Sequence, residues 1–456
     1  MFDPLLIPEL REMLIENNTR AMREFCDVFH AGVVAENLEA LPPADGWRIL
    51  SEADWSRRAE VFKYFSRRRQ KELVATIDKA HLSALLEAMA PDDRVALLKR
   101  MDPSQIDLLL PLMAQVERDD IRKLLSYPPH SAGSIMTTEY ATLHADVTAG
   151  VALAQLRTQA PKRELIYYIY VIDDARRLIG FVSLRKLILE KLETPISEIM
   201  DQDVISVRVD EDQEMVARKI ARYNFIAMPV VDDQNRLVGI VTHDDVVDVL
   251  QQEATEDVHH MGGVVPLTEQ YLESKFVTLW RKRAMWLSVL FLAEVFTFSA
   301  LAHFENEIAK VVALSLFVPL CISTGGNSGS QAATLITRAL ALGQIKTRDW
   351  YRVMWHELRM GIALGLTLGA IAFVRAYFTP AKVLGTANPI LLATVIAQAV
   401  AAICLWGTLV GAALPLIFRR LGIDPGIASS PFVATFVDVT GIVIYFSIAR
   451  VYLNLG

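Results

Sequence analysis

The sequence predicts a multidomain membrane protein, built from a cytosolic α-superhelical N-terminal domain, an α/β tandem pair and an all-α transmembrane domain of five helices. Three observations carry that prediction. Charge is divided unevenly along the 456 residues. Residues 1–277 hold 32 Lys and Arg against 46 Asp and Glu, a balance of −14, whereas 278–456 hold 14 against 7, a balance of +7. A strand-and-helix pattern occurs twice between Ser134 and Leu250, at a shift of 59 residues. Beyond Arg283 come five apolar runs, each with the roughly 17–25 residues needed to cross the hydrocarbon of a bilayer.

Residues 1–130 read as a helical, acidic domain with little strand signal. Apolar residues recur at helical spacing over Leu73–Met89, Val95–Met101 and Ile106–Met113. Pro91 and Pro103 suit the first turn of new helices, where a missing N–H costs nothing, and Asp102 suits an N-cap. Short units punctuated in this way suggest a small superhelix. Met1–Met13 has no basic region ahead of an apolar stretch, so no cleaved signal peptide is expected. Cys26, Cys321 and Cys404 lack metal or redox spacing and read as reduced packing residues. An acidic body of this kind suits cations rather than nucleic acid.

From Ser134 the pattern changes. Val171-Ile172-Asp173-Asp174 is answered by Val230-Val231-Asp232-Asp233, and Arg177–Ser183 by Arg236–Thr242. Each copy is an apolar strand, an acidic turn, a second strand and a helix. Ser134-Ile135-Met136 and Glu198-Ile199-Met200 open the two copies. Residues 131–250 thereby resemble a tandem pair of CBS domains, about 131–195 and 196–250. That resemblance implies binding of adenine nucleotides or other small effectors, and control of the protein to which the pair is fused. The family's nucleotide signature is a hydroxyl followed by an acid after the second strand. Thr242 and Asp245 match it in the second copy, whereas Ser183 is followed by Lys186 in the first. The resemblance therefore admits ATP at one copy and argues against it at the other.

The exit from the second copy is acidic, and Asp244–Asp257 contains no Lys or Arg. A solvated helix usually mixes signs to gain pairs one turn apart. Two readings fit: a solvated face, or hard-oxygen ligands for Mg2+ completed when two acidic surfaces meet. Residues 251–280 then read as a connecting helix leading to Arg281-Lys282-Arg283, with His259 and His260 as a solvated pair on it.

The expected spans within 281–456 are Ala284–Ala302, Ile308–Thr324, Met360–Phe378, Ile390–Phe418 and Ile427–Leu453. Lys and Arg concentrate before the first span, between the second and third, and between the fourth and fifth. The positive-inside rule then puts the N-terminus in the cytoplasm and the C-terminus outside. Within the fifth span stands one carboxylate, Asp438. An ionised Asp at bilayer depth costs about 2.5–3.5 kcal/mol on insertion scales, so such residues usually face a cavity, a partner or an ion. Pro425 and Pro431 are expected to break the start of that span and free carbonyls. Carbonyls, a carboxylate and retained water suit Mg2+, which dehydrates reluctantly. Two copies of Asp438 across a dimer axis would make an acidic ring.

Pro319–Gln331 ends the second span. Gly325 and Gly329 form a small-xxx-small pair that suits close helix packing. Asn327 and Gln331 beside them suggest a break at membrane depth lining water. The third and fourth spans carry no comparable charge and read as scaffold. His356-Glu357 lacks the second His of the zinc-protease helix pattern, since position 360 is Met, which argues against a membrane protease.

Three motifs in this order, Glu253–Asp257, Thr324–Gln331, and Asp424-Pro425 followed by Pro431 through Asp438, resemble the MgtE family of Mg2+ channels over nearly the whole chain. The resemblance implies a non-enzymatic homodimer in the cell inner membrane, with a pore on its axis lined by spans two and five. It places Asp438 and Ala434 at the pore cation site, Asp424 at the cytosolic mouth, and Asn327, Gln331 and Pro431 along the lining. It implies regulatory Mg2+ at Asp212, Glu214, Asp245, Asp248, Glu253, Glu256 and Asp257, closing the pore through the connecting helix as a plug. Gly426, Ser429-Ser430 and Asn224 depart from the family's pattern. Two other functions fit the residues: a nucleotide- or ion-sensing membrane receptor without conduction, and an ion-coupled exporter of divalent cations.

Overall fold

The computed structural model describes residues 6–160, 165–267, 271–272, 274–380 and 388–453. Residues 1–5 of the Met1–Met13 segment, 268–270 and 273 of the expected connecting helix, and 381–387 lie outside the described residues. The chain divides into two compact units, Met1–Glu253 and Ala254–Gly456.

Among the described residues the first unit opens with ten short α-helices, from α1 (Leu6–Ile15) to α10 (Gln115–Leu125). Pro91 and Pro103 occupy the first turns of α8 (Pro91–Leu98) and α9 (Pro103–Leu109), and Asp102 caps α9 by accepting from the Ser104 N–H at 2.9 Å. The expected run Leu73–Met89 is two helices rather than one. Asp78 interrupts it by accepting from the N–H groups of Ala80 and His81, which starts a new helix. Helices this short leave terminal carbonyls orphaned. Arginines collect them: Arg57 Nε donates to Cys26 O at 2.7 Å, Arg69 Nη2 to Leu41 O at 2.6 Å and Arg94 Nη2 to Met89 O at 2.9 Å. Apolar side chains from Leu10 to Ile121 fill one continuous core behind them.

The tandem repeats each form a three-stranded sheet, and carry the helices α11 (Ala149–Gln159), α12 (Leu184–Leu189), α13 (Ile196–Ile199) and α14 (Gln213–Tyr223). In the first, β1 (Tyr140–His144) runs parallel to β2 (Leu165–Ile172), which is antiparallel to β3 (Leu178–Ser183). In the second, β4 (Val207–Arg208), β5 (Ala227–Val231) and β6 (Leu237–Thr242) repeat the order. Both acidic turns work alike, with Asp173 and Asp232 side chains accepting from the backbone N–H four residues on. The repeated glycines answer each other across the pair. A methyl at Gly180 would meet Asp201 O at 2.9 Å, and one at Gly239 would meet Thr137 O at 2.9 Å. The opening segment of each copy thus crosses the second hairpin strand of the other, where only glycine leaves room.

The second unit contains five long helices among the described residues: α16 (Phe276–His303), α18 (Ala313–Ala341), α19 (Trp350–Tyr377), α20 (Pro389–Arg420) and α21 (Ser430–Leu453), with the short α17 (Glu305–Lys310) between the first two. Among the described residues four segments are long and apolar enough to cross a membrane, Phe276–His303, Thr347–Tyr377, Pro389–Arg420 and Ser430–Leu453. Helix α18 has the length but carries the polar stretch Thr324–Gln331. It corrects an expectation: the second span does not break at Gly325-Gly326-Asn327, and the helix continues to Ala341. An intact helix satisfies its own backbone groups at membrane depth. Its glycines serve packing instead. Methyl groups at Gly407 and Gly411 of α20 would overlap the carbonyls of Gly325 and Gly329, so paired small-xxx-small faces let these backbones touch. The last helix starts at Ser430 rather than Ile427, because Pro425–Ile427 forms a 3-10 turn and Pro431 sits in the first helical turn.

Candidate pore and cation sites

Asp438 lies on α21 where that helix crosses α18 at Gly326. A methyl on Gly326 would stand 3.4 Å from Asp438 Oδ1 and 3.4 Å from Ala434 Cβ. The missing side chain therefore opens the helix contact to a carboxylate and to the residue one turn before it. Trp406 Nε1 of α20 donates to Thr440 Oγ1 at 2.8 Å, and Tyr445 OH donates to Leu314 O of α18 at 2.9 Å. Both bonds hold α21 on the C-terminal side of Asp438, the nearer one only two residues on. On α18, Ser323, Asn327 and Gln331 recur at four-residue spacing, with Asn327 Nδ2 donating to Ser323 Oγ at 3.3 Å. Asn327 and Gln331 are exposed in the single chain. Pro431 is half-buried.

Asp424 caps the turn before α21, accepting from the Gly426 N–H at 2.8 Å. It also meets His260 Nδ1 at 2.7 Å. The expectation of a solvated histidine pair is thus corrected: His260 is half-buried on the end of α15 (His243–Met261), and His259 Nδ1 accepts from the Leu267 N–H at 3.4 Å. The hydrogen bond to Asp424 lifts His260 above the usual histidine range against its burial, and Glu256 and Asp257 on the preceding turn act the same way. The same bond lowers Asp424. A methyl at Gly426 would stand 2.9 Å from His260 Cβ, so glycine there leaves the histidine its place. The connector expected over 251–280 does not run as one helix. It ends at Met261, Gly263 takes a positive φ of 68°, and α16 begins at Phe276.

The other proposed regulatory acids fall in the first unit, and the fold distributes them. Asp212 is the N-cap of the helix Gln213–Tyr223, accepting from the Glu214 N–H at 2.8 Å, while the Glu214 carboxylate pairs with Arg218. Glu253 accepts from Gln213 Nε2 at 2.8 Å. Thr242 Oγ1 donates to Asp245 Oδ2 at 2.6 Å, so the nucleotide signature is internally bonded and buried at Thr242.

Asp245 and Asp248 come together with two residues that sequence reasoning passed over, Asp92 and Asp93. Asp92 is 8 % exposed and shares a hydrogen bond with Asp245. Burial raises both carboxyls, Asp93 to about 6 with help from Asp92, and Asp244 and Asp248 add to it. Lys63 Nζ lies 3.8 Å from Asp93 and 4.0 Å from Asp244. The signal was the Pro-Asp-Asp start of α8, which reads equally well as ordinary acids at a helix N-terminus. Among the described residues no three His, Cys, Asp or Glu side chains are grouped as a ready-made metal site. Carboxylates this close repel one another where they are charged.

A family model described as a divalent cation transporter matches residues 318–448, one described as the MgtE intracellular N domain matches 29–130, and the CBS domain model matches 132–193 and 196–252. The chain is 41 % identical over 452 residues to the magnesium transporter MgtE of Thermus thermophilus, covering 98 % of this chain and 99 % of that one. It is 30 % identical over 449 residues to the magnesium transporter MgtE of Bacillus subtilis, covering 98 % of each. Among solved structures it is similar to the soluble part of a magnesium transporter, with 34 % identity, a TM-score of 0.52, and coverage of 54 % of this chain and 98 % of that one. It is also similar to the cytosolic domain of the Mg2+ channel MgtE in complex with ATP, with 38 % identity, a TM-score of 0.50, and coverage of 53 % and 98 %.

Proposed function

The chain belongs to the MgtE family of divalent cation transporters, and from that premise we propose that it carries Mg2+ into the cell through a path lined by α18 and α21. The observation that carries this reading is the carboxylate of Asp438 set against Gly326. A charge at membrane depth is retained where it meets an ion, and a hydrated Mg2+ can be held by a carboxylate and helix carbonyls without losing all its water. Two copies placed about a common axis would double that charge and bring the exposed Asn327 and Gln331 faces together. Ala434 and Pro431 line the same side, and Asp424 stands at the mouth. No residue is catalytic in this reading.

Regulation follows from the acidic faces. Without divalent cations, repulsion at Asp92, Asp93, Asp245 and Asp248 loosens the first unit. Mg2+ between these faces favours the compact state, with Asp212, Glu214, Glu253, Glu256 and Asp257 contributing where two surfaces meet. An ion shifts such a balance only by its differential affinity for the two states. ATP at the tandem pair is a second input that the chemistry of Thr242 and Asp245 permits once their mutual bond opens. The basic loops put the N-terminal unit in the cytoplasm.

Mg2+ uptake into liposomes loaded with a fluorescent Mg2+ indicator tests the proposal. Saturable uptake, suppressed by Mg2+ on the side of the N-terminal unit, is expected. Absence of uptake from correctly folded protein would favour a sensor without conduction, and dependence of flux on a Na+ or H+ gradient would favour coupled exchange.

A further inference from the structure

A stripe of basic and aromatic side chains runs from the 3-10 turn Thr347–Asp349 into the start of helix α19. Arg352, Trp355 and Arg359 follow one another at helical spacing and so share one face of α19, and Arg348 precedes them in the turn. All four are exposed, and among the described residues none of these arginines makes an ion pair. The nearby acids are engaged elsewhere. Glu357 is 8 % exposed on the opposite face beside buried Val353, and Asp349 Oδ2 accepts from the Lys346 N–H at 2.9 Å. A small core that includes Ile336, Val353 and Leu416 gathers the end of α18, the start of α19 and the end of α20. Exposed Arg338 and Arg419 therefore belong to the same end of the unit. Trp350 and Tyr351 are exposed there too.

Unpaired guanidinium groups among exposed aromatic rings match the chemistry of a lipid headgroup region. The planar fork of arginine fits phosphate through two parallel hydrogen bonds. Trp and Tyr settle at the membrane interface. A zwitterionic headgroup brings an ammonium that these arginines repel, whereas an anionic one does not. We infer that this face of α19 binds the phosphate groups of anionic phospholipids in the leaflet beside the basic loops. It would retain them as a preferred annular shell. The inference rests on reading α19 as a membrane span.

The test is quenching of tryptophan fluorescence in the full chain, reconstituted with brominated phosphatidylglycerol or brominated phosphatidylcholine. Juxtamembrane basic residues contribute roughly fivefold each to association with an anionic surface. The wild type should favour phosphatidylglycerol at least several-fold, and the preference should shrink in high salt. Combining R348Q, R352Q and R359Q should bring the ratio towards one. The Lys-for-Arg triple variant, which keeps charge and fold, should retain part of it. Equal quenching by both lipids in the wild type would overturn the inference while leaving the span intact. Quenching by neither would instead refute the span itself. A preference unchanged in the Gln variant, or a change in oligomeric state with no change in preference, would assign the face to a second copy and overturn the inference as well. Should the Gln variant not fold, a wild-type preference indifferent to salt would overturn it.

Discussion

Replacing Asp93 with Asn should stabilise the first unit at neutral pH and leave it unchanged in acid. Burial, with Asp92 beside it, pushes the Asp93 carboxyl to about 6, and Lys63 at 3.8 Å offsets only part of that. The folded value lies above the unfolded one, so the folded state binds the extra proton between about pH 4 and pH 6, and stability falls as pH rises through that window. Above it the charged carboxylate carries the full penalty. At about 1.4 kcal/mol per pH unit the interval would amount to nearly 3 kcal/mol. The side chain is 33 % exposed, and solvent screening reduces this to about 1–2 kcal/mol. For a unit of this size that is a rise in Tm of about 2–6 °C at neutral pH. Thermal unfolding of the full chain in detergent with chelator present, at about pH 4 and about pH 7.5, measures it. The same variant should lose part of the stabilisation that Mg2+ confers on the wild type, because the repulsion that the ion relieves is already gone. A fall in Tm at neutral pH, or a shift equal at both pH values, would refute the electrostatic reasoning.

Other outcomes follow from the contacts in the second unit. Gly411→Val should prevent α18 and α20 from closing, at about 1–3 kcal/mol or more, and should be read as lowered Tm and poor recovery of the reconstituted protein. Thr440→Val removes the acceptor of Trp406 Nε1 and should cost about 1 kcal/mol, with a reduced flux per molecule where the helix carrying Asp438 loses its register. His260→Ala removes the partner of Asp424. It should weaken the hold of the α15 end on the turn before α21, measured as faster proteolysis or cross-linking loss around Gly263.

Local pattern made much of this legible from residues alone. The 59-residue shift fixed two strand-turn-strand units because the acidic turns bond their own backbone, a short-range matter. Asp438 stood out because a single charge in an apolar run has few tolerable environments. Pairings distant in sequence were harder to read. Gly407 and Gly411 lie in a span that looked like plain scaffold, and their purpose appears only opposite Gly325 and Gly329. The polar stretch of α18 suggested a break because amides at membrane depth need partners, yet the packed helix keeps its own ladder. Asp92 and Asp93 read as helix-start acids, and His260 as a surface residue, until the fold brought Asp245 and Asp424 to them.

The account depends most on a negative side chain meeting the ion that crosses. Mg2+ influx into proteoliposomes should be compared for the wild type and for Asp438→Asn, with equal incorporation and equal Tm. Flux abolished in the variant is the predicted result. An Asn variant that conducts Mg2+ as fast as the wild type would contradict it.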